Sequence, residues 1–155
     1  MPVQKLREFL DEHHVRYETI THPQRFTAQE TAASAHIPGK ELAKTVMVKI
    51  DGKLAMAVVP APQQVSLARV KEVTGARSVE LADEEEFRAL FPSCEAGAMP
   101  PFGNLWNVPV LVDRKLQEDE TIAFIAGSHS ELVRLSYSDF ERLVEPAVGE
   151  LAAGP

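Results

Sequence analysis

Cysteine is nearly missing from this chain: Cys94 is the single one in 155 residues. An internal disulfide is therefore excluded, which agrees with a reducing compartment. A lone thiol is more often a small buried hydrophobe than a nucleophile. The five histidines (His13, His14, His22, His36 and His129) are scattered. No Cys/His cluster has zinc spacing, so neither a metal nor another cofactor is expected. No P-loop or dinucleotide fingerprint is present, and no Gly-x-Ser-x-Gly elbow marks an α/β-hydrolase. Long apolar runs are lacking and residues 1–12 are too polar for a secretory signal, so the expected compartment is the cytoplasm.

Positive charge is also short. The net charge of −7 argues against a general nucleic-acid binder, but it is uneven. Residues 1–77 carry 11 basic and 8 acidic side chains, whereas residues 78–155 carry 5 and 15. A polyanion should meet the first half. With 45% hydrophobic residues the chain has the material for one domain with a real core. That domain is expected over residues 1–146, with the Ala-, Gly- and Pro-rich residues 147–155 as a flexible tail.

What is present is dominated by residues 43–60. Asp51-Gly52 between two apolar runs is a strong hairpin signal, because both turn positions require positive φ. Alternation puts Lys44 on one face with Val46, Val48 and Ile50, and Thr45, Met47 and Lys49 on the other. A lysine opening an apolar face must snorkel out or sit in a pocket. Residues 3–14 read as an amphipathic helix with Val3, Leu6, Phe9 and Leu10 on its stripe. Residues 15–20 alternate like a strand, and residues 27–35 read as a helix with Thr27 and Glu30 as a capping box. Helices are expected at 66–74, 82–90 and 138–144, and strands at 107–113, 121–126 and 131–136. Links as short as Asp51-Gly52 and Gly127-Ser128-His129 exclude helical crossovers between their strands. The expectation is a mixed-sheet α/β domain.

Two further stretches could carry chemistry. Gly97-Ala98-Met99-Pro100-Pro101-Phe102-Gly103 combines stiff prolines with permissive glycines. Such a loop can aim the N–H groups of Gly97, Ala98 and Met99 at a carbonyl or anion, or simply connect a helix to a strand. Phe102 suits core or pocket wall equally. Ala126-Gly127-Ser128-His129 holds an adjacent Ser-His pair, but neighbours in an extended segment point apart, so a direct dyad is awkward.

In their order, Ala43-Lys44-Thr45-Val46 before a hairpin, residues 97–103, and Ala126-Gly127-Ser128 resemble the YbaK/ProX family. That family comprises free-standing aminoacyl-tRNA deacylases and the editing domain of bacterial prolyl-tRNA synthetases. His22-Pro23 followed by Thr27-Ala28-Gln29-Glu30 resembles the family's early His-Pro stretch. The likeness runs from about Leu6 to Val144. It implies a mixed, barrel-like sheet surrounded by helices, and metal-free hydrolysis of the ester linking a wrong, small amino acid to a tRNA 3′ end. It puts the key lysine on Lys44 and the Gly-x-x-x-Pro-Phe-Gly loop on residues 97–103. Phe26, Thr27, Pro100, Phe102, Gly103, Gly127, Ser128 and His129 become the substrate-binding positions, with Lys44, Gly97, Ala98 and Met99 as the catalytic ones. The implied partner is the aminoacylated acceptor end of tRNA, with a synthetase as an optional second partner. The pI near 5.2 departs from the basic balance expected of a tRNA enzyme. Docking through the basic half, or help from a synthetase, would reconcile the two. Two rival readings stand beside this one: a Ser/His or cysteine hydrolase using Ser128, His129 or Cys94, and a non-catalytic module that binds aminoacyl ends or nucleotides.

Overall fold

Residues 43–60 form the hairpin that organises the sheet. In the computed structural model, which describes residues 3–21, 37–95 and 97–153, Asp51 and Gly52 both take positive φ, 50° and 83°. The expected helix at 27–35, and with it Phe26 and Thr27, lies outside the described residues. From the turn, β2 (Leu42–Ile50) and β3 (Lys53–Pro60) pair antiparallel from Ala43↔Pro60 to Ile50↔Lys53. β3 is an almost unbroken apolar run because both its faces are covered. Met56 and Val58 enter the main core, while Ala55, Ala57 and Val59 enter a second cluster behind it.

The remaining strands add to the two edges of this hairpin. β6 (Val110–Asp113) runs parallel to β3, and β9 (Ala147–Gly149) parallel to β6. On the other side β7 (Thr121–Ile125) joins the start of β2 in parallel, followed by β8 (Glu131–Ser136) and β1 (Tyr17–Thr21), each antiparallel to its neighbour. β5 (Val79–Leu81) pairs with the far end of β2. A separate ribbon joins β4 (Gln64–Val65) to β10 (Ala152–Ala153). The result is the mixed sheet that the short links demanded.

Helices close both faces. α1 (Gln4–Glu12) buries Leu6 and Leu10, and α4 (Tyr137–Val144) buries Tyr137, Phe140 and Val144, all in the main core. α2 (Leu67–Thr74) is capped by Ser66, whose hydroxyl accepts the Arg69 amide, and ends at left-handed Gly75. It sets Val70 against the second cluster.

Three expectations need correction. The helix at 82–90 is α3 (Glu84–Phe87) with a tighter turn at Arg88–Leu90. The strand at 107–113 is only β6, because Asn107 turns left-handed after Gly103–Trp106. Residues 147–153 are not a loose tail. β9 is in the sheet, Leu151 is fully buried, and the amides of Leu151 and Ala152 both donate to Asp113 Oδ2 at 2.9 Å. A buried carboxylate that accepts two amides ties the segment down despite its weak composition.

Candidate active site

Lys44 sits where the sheet forks. β3 holds one edge of β2 along its length, while the other edge pairs with β7 only at Leu42 and Ala43. Pairing there resumes with β5 at Val48, and the Met47 carbonyl accepts the Ala82 amide. Among the described residues no strand pairs with Lys44, Thr45 or Val46 on that edge. The parallel register ends at Ala43 and Phe124, three residues before Gly127. The alternation holds as well: Val46, Val48 and Ile50 belong to the second cluster, and Ala43 and Met47 to the main core. Lys44 is half-buried, and loss of hydration lowers its pKa from the ordinary lysine value. Among the described residues its side chain has no ion-pair or hydrogen-bond partner.

The loop after Cys94 and the turn after β7 are joined by backbone. Glu95 N donates to Gly127 O at 2.8 Å, and Gly127 N donates to Ala98 O at 2.8 Å. Gly127 takes φ +100°, and a Cβ there would come within 3.1 Å of Val3 Cβ. Gly97 takes φ +74°, and a Cβ there would meet His129 Cε1 at 3.8 Å, so the imidazole packs over the bare face of Gly97. The His129 amide donates to Glu95 Oε1 at 2.7 Å.

The expected site residues fare differently within this frame. Gly97 and Met99 have amides without an acceptor among the described residues, but the Ala98 amide is spent on Glu95 O at 3.0 Å. Ala98 instead contributes its carbonyl, which holds Gly127. Phe102 is no pocket wall: it is fully buried, with Phe9, Phe124 and Phe140 at ring separations of 6.2, 5.4 and 5.6 Å. It stiffens the loop from behind, as do buried Pro100 and Gly103. Ser128 Oγ bonds Ser130 Oγ at 3.1 Å and accepts the Ser130 amide at 3.3 Å. It therefore shapes the turn.

Cys94 lines a cavity of about 260 Å³ with Phe87, Phe91 and Met99, and Glu84, Arg88 and Glu95 at its polar side. Burial pushes its thiol up to about 11, far from the thiolate a nucleophile requires. Glu95 was not legible as a site residue, since an acidic residue between Cys94 and Ala96 carries no pattern. Among the described residues no three His, Cys, Asp or Glu side chains gather as a metal site. No helix among them is long and apolar enough to cross a membrane.

These features define a class: a mixed-sheet α/β domain with a half-buried lysine at a strand fork and a glycine-proline loop tied to the neighbouring turn. Residues 22–143 match the family model of the aminoacyl-tRNA editing domain, and the chain belongs to that family. It is 31% identical over 103 residues to a proline–tRNA ligase of Bacillus mycoides, and 34% identical over 103 residues to that of Bacillus cytotoxicus. Each alignment covers 66% of this chain and 18% of the ligase, so the chain spans about a fifth of these relatives. Among solved structures, one described as a "putative trans-editing enzyme for prolyl tRNA synthetase" superposes with a TM-score of 0.83 at 19% identity, covering 97% of this chain and 96% of that one. The hypothetical protein APE2540 superposes with a TM-score of 0.86 at 22% identity, covering 97% and 100%. At such identities the likeness establishes the fold.

Proposed function

We propose that the chain is an aminoacyl-tRNA deacylase acting in trans, which hydrolyses the ester of a tRNA mischarged with a small amino acid. The observation that carries this reading is the Lys44 fork next to β7, whose following turn is bonded to a loop with Gly97 and Met99 amides free to donate among the described residues. The Lys44 ammonium, poorly hydrated, binds the terminal phosphate or the ester region. The Gly97 and Met99 amides stabilise the oxyanion as water adds to the carbonyl. The carbon–oxygen bond to the ribose then breaks, releasing the free amino acid and restoring the tRNA hydroxyl. No described side chain is placed as a base. The neighbouring ribose hydroxyl of the substrate assists the water instead. Gly127, Ser128 and His129 border the amino-acid side, where size excludes large side chains by overlap.

The cysteine-hydrolase alternative is disfavoured by the raised Cys94 pKa, and a serine nucleophile by the engagement of Ser128 with Ser130. The test is a panel of tRNAs charged with alanine, serine, threonine, cysteine and larger residues, assayed for release of amino acid with and without EDTA. Fast release confined to small residues and insensitive to chelation is the expected result. Binding without release would instead favour a non-catalytic module.

A further inference from the structure

We propose that Glu95 is a positioning residue for this reaction, and the inference rests on the deacylase reading above. Four hydrogen bonds knit residues 95–98 to each other and to residues 127–129. Three are backbone bonds: Glu95 N to Gly127 O, Gly127 N to Ala98 O, and Ala98 N to Glu95 O. The fourth, from His129 N to Glu95 Oε1 at 2.7 Å, uses a side chain. It is short, and a carboxylate acceptor makes such a bond about twice as strong as a neutral one.

Its position gives it leverage. The far side of the turn is stapled onto itself, with Glu131 N donating to Ser128 O at 3.2 Å and Ser130 N donating to Ser128 Oγ at 3.3 Å. The Glu95 carboxylate links His129 to the loop, fixing its main chain while the imidazole packs 3.8 Å from where a Gly97 Cβ would stand. Glu95 thereby sets the distance between the His129 ring and the amides of Gly97 and Met99. Misplacement by about 1 Å at such a site can cost on the order of a hundredfold in rate.

The experiment compares Glu95→Ala and Glu95→Gln in the full chain, using tRNA charged with alanine or serine. It also records the His129 amide proton by ¹⁵N–¹H correlation. Glu95→Ala should lower kcat by roughly ten- to a hundredfold, with KM within about threefold and the melting temperature kept. Glu95→Gln retains an acceptor oxygen and should stay within about threefold of wild type. The His129 amide should move upfield in Glu95→Ala and much less in Glu95→Gln. Near-wild-type kcat in Glu95→Ala, or equal impairment of both variants, overturns the proposal. If the wild-type protein hydrolyses neither tRNA, the deacylase reading falls by itself. An unmoved His129 amide in Glu95→Ala still overturns the clamp independently.

Discussion

Gly127 donates its amide to the carbonyl of Ala98 across 2.8 Å, which makes the proline-stiffened loop and the turn after β7 a single unit. The unit is anchored behind by the fully buried Phe102 and in front by Val3, whose amide donates to Ala126 O at 3.1 Å. Substitutions in either half should therefore be felt in the other.

Gly127→Ala tests this most directly. At φ +100° a side chain is strained, and the new methyl would press on Val3 at 3.1 Å. The expected loss is roughly 1–3 kcal/mol of stability, read by urea or thermal unfolding. Deacylation should fall further than the unfolded fraction explains. A melting curve like that of wild type would mean that the turn relaxes freely.

Lys44→Ala should remove most activity and leave the melting temperature intact, because truncation at the start of a strand opens no deep cavity. Lys44→Arg should not rescue it, since a planar fork does not replace a compact ammonium. Lys53→Ala should leave the single-turnover rate and the melting temperature close to wild type. Lys49, half-buried on the opposite face, is a more demanding control, because it bridges Glu80 at 3.1 Å and Glu86 at 2.9 Å. Lys49→Ala should lower the melting temperature slightly at unchanged rate. Single-turnover deacylation beside thermal melts decides each case.

Lys44 also sets a pH dependence. Its folded pKa lies below the ordinary 10.5 through loss of hydration. Between the two values the unfolded chain binds more protons, so this residue's contribution to stability rises with pH there and is least favourable at neutral pH. Lys44→Met should therefore melt no lower than wild type near neutrality. The wild-type rate should decline on the alkaline side before the ordinary lysine range, as the ammonium is lost.

Cys94 offers the test against covalent catalysis. With the thiol at about 11 rather than 9.0, labelling of the native protein by iodoacetamide should be about a hundredfold slower than in denaturant. Cys94→Ala should deacylate at close to the wild-type rate. Rapid labelling together with loss of activity would restore the thiol-hydrolase reading.

Docking of tRNA on the basic half predicts a salt signature. Each phosphate contact removed should flatten the log–log salt slope by about one unit, equally for all tRNAs. Lys40 is exposed but faces Asp119 Oδ1 at 3.6 Å, so Lys40→Ala should have the smaller effect and Lys53→Ala the larger. An unchanged slope in both variants would move the docking face elsewhere.

Much of this molecule could be read from local chemistry. Asp51-Gly52 dictates the hairpin because both residues must take positive φ, and strand alternation then decides which residues share a face with Lys44. Ser66 and Gly75 bound α2 by capping alone. The ordered glycine, proline and lysine motifs resemble those of the editing-domain family, a likeness carried by their order along the chain. The same local signals misjudged the last residues, where Ala, Gly and Pro suggested fraying although Asp113, some 40 residues earlier, holds their amides.

The fork at Lys44, the use of Ala98 as acceptor rather than donor, the burial of Phe102 and the part played by Glu95 were decided only by tertiary structure. Each depends on a partner remote in the chain: β7 for Lys44, Gly127 for Ala98, Phe124 and Phe140 for Phe102, and His129 for Glu95. Periodicity and turn chemistry act over a few residues and say which way a side chain points. They do not say which amide is already satisfied, and that is settled only when distant strands and loops meet and pair their polar groups.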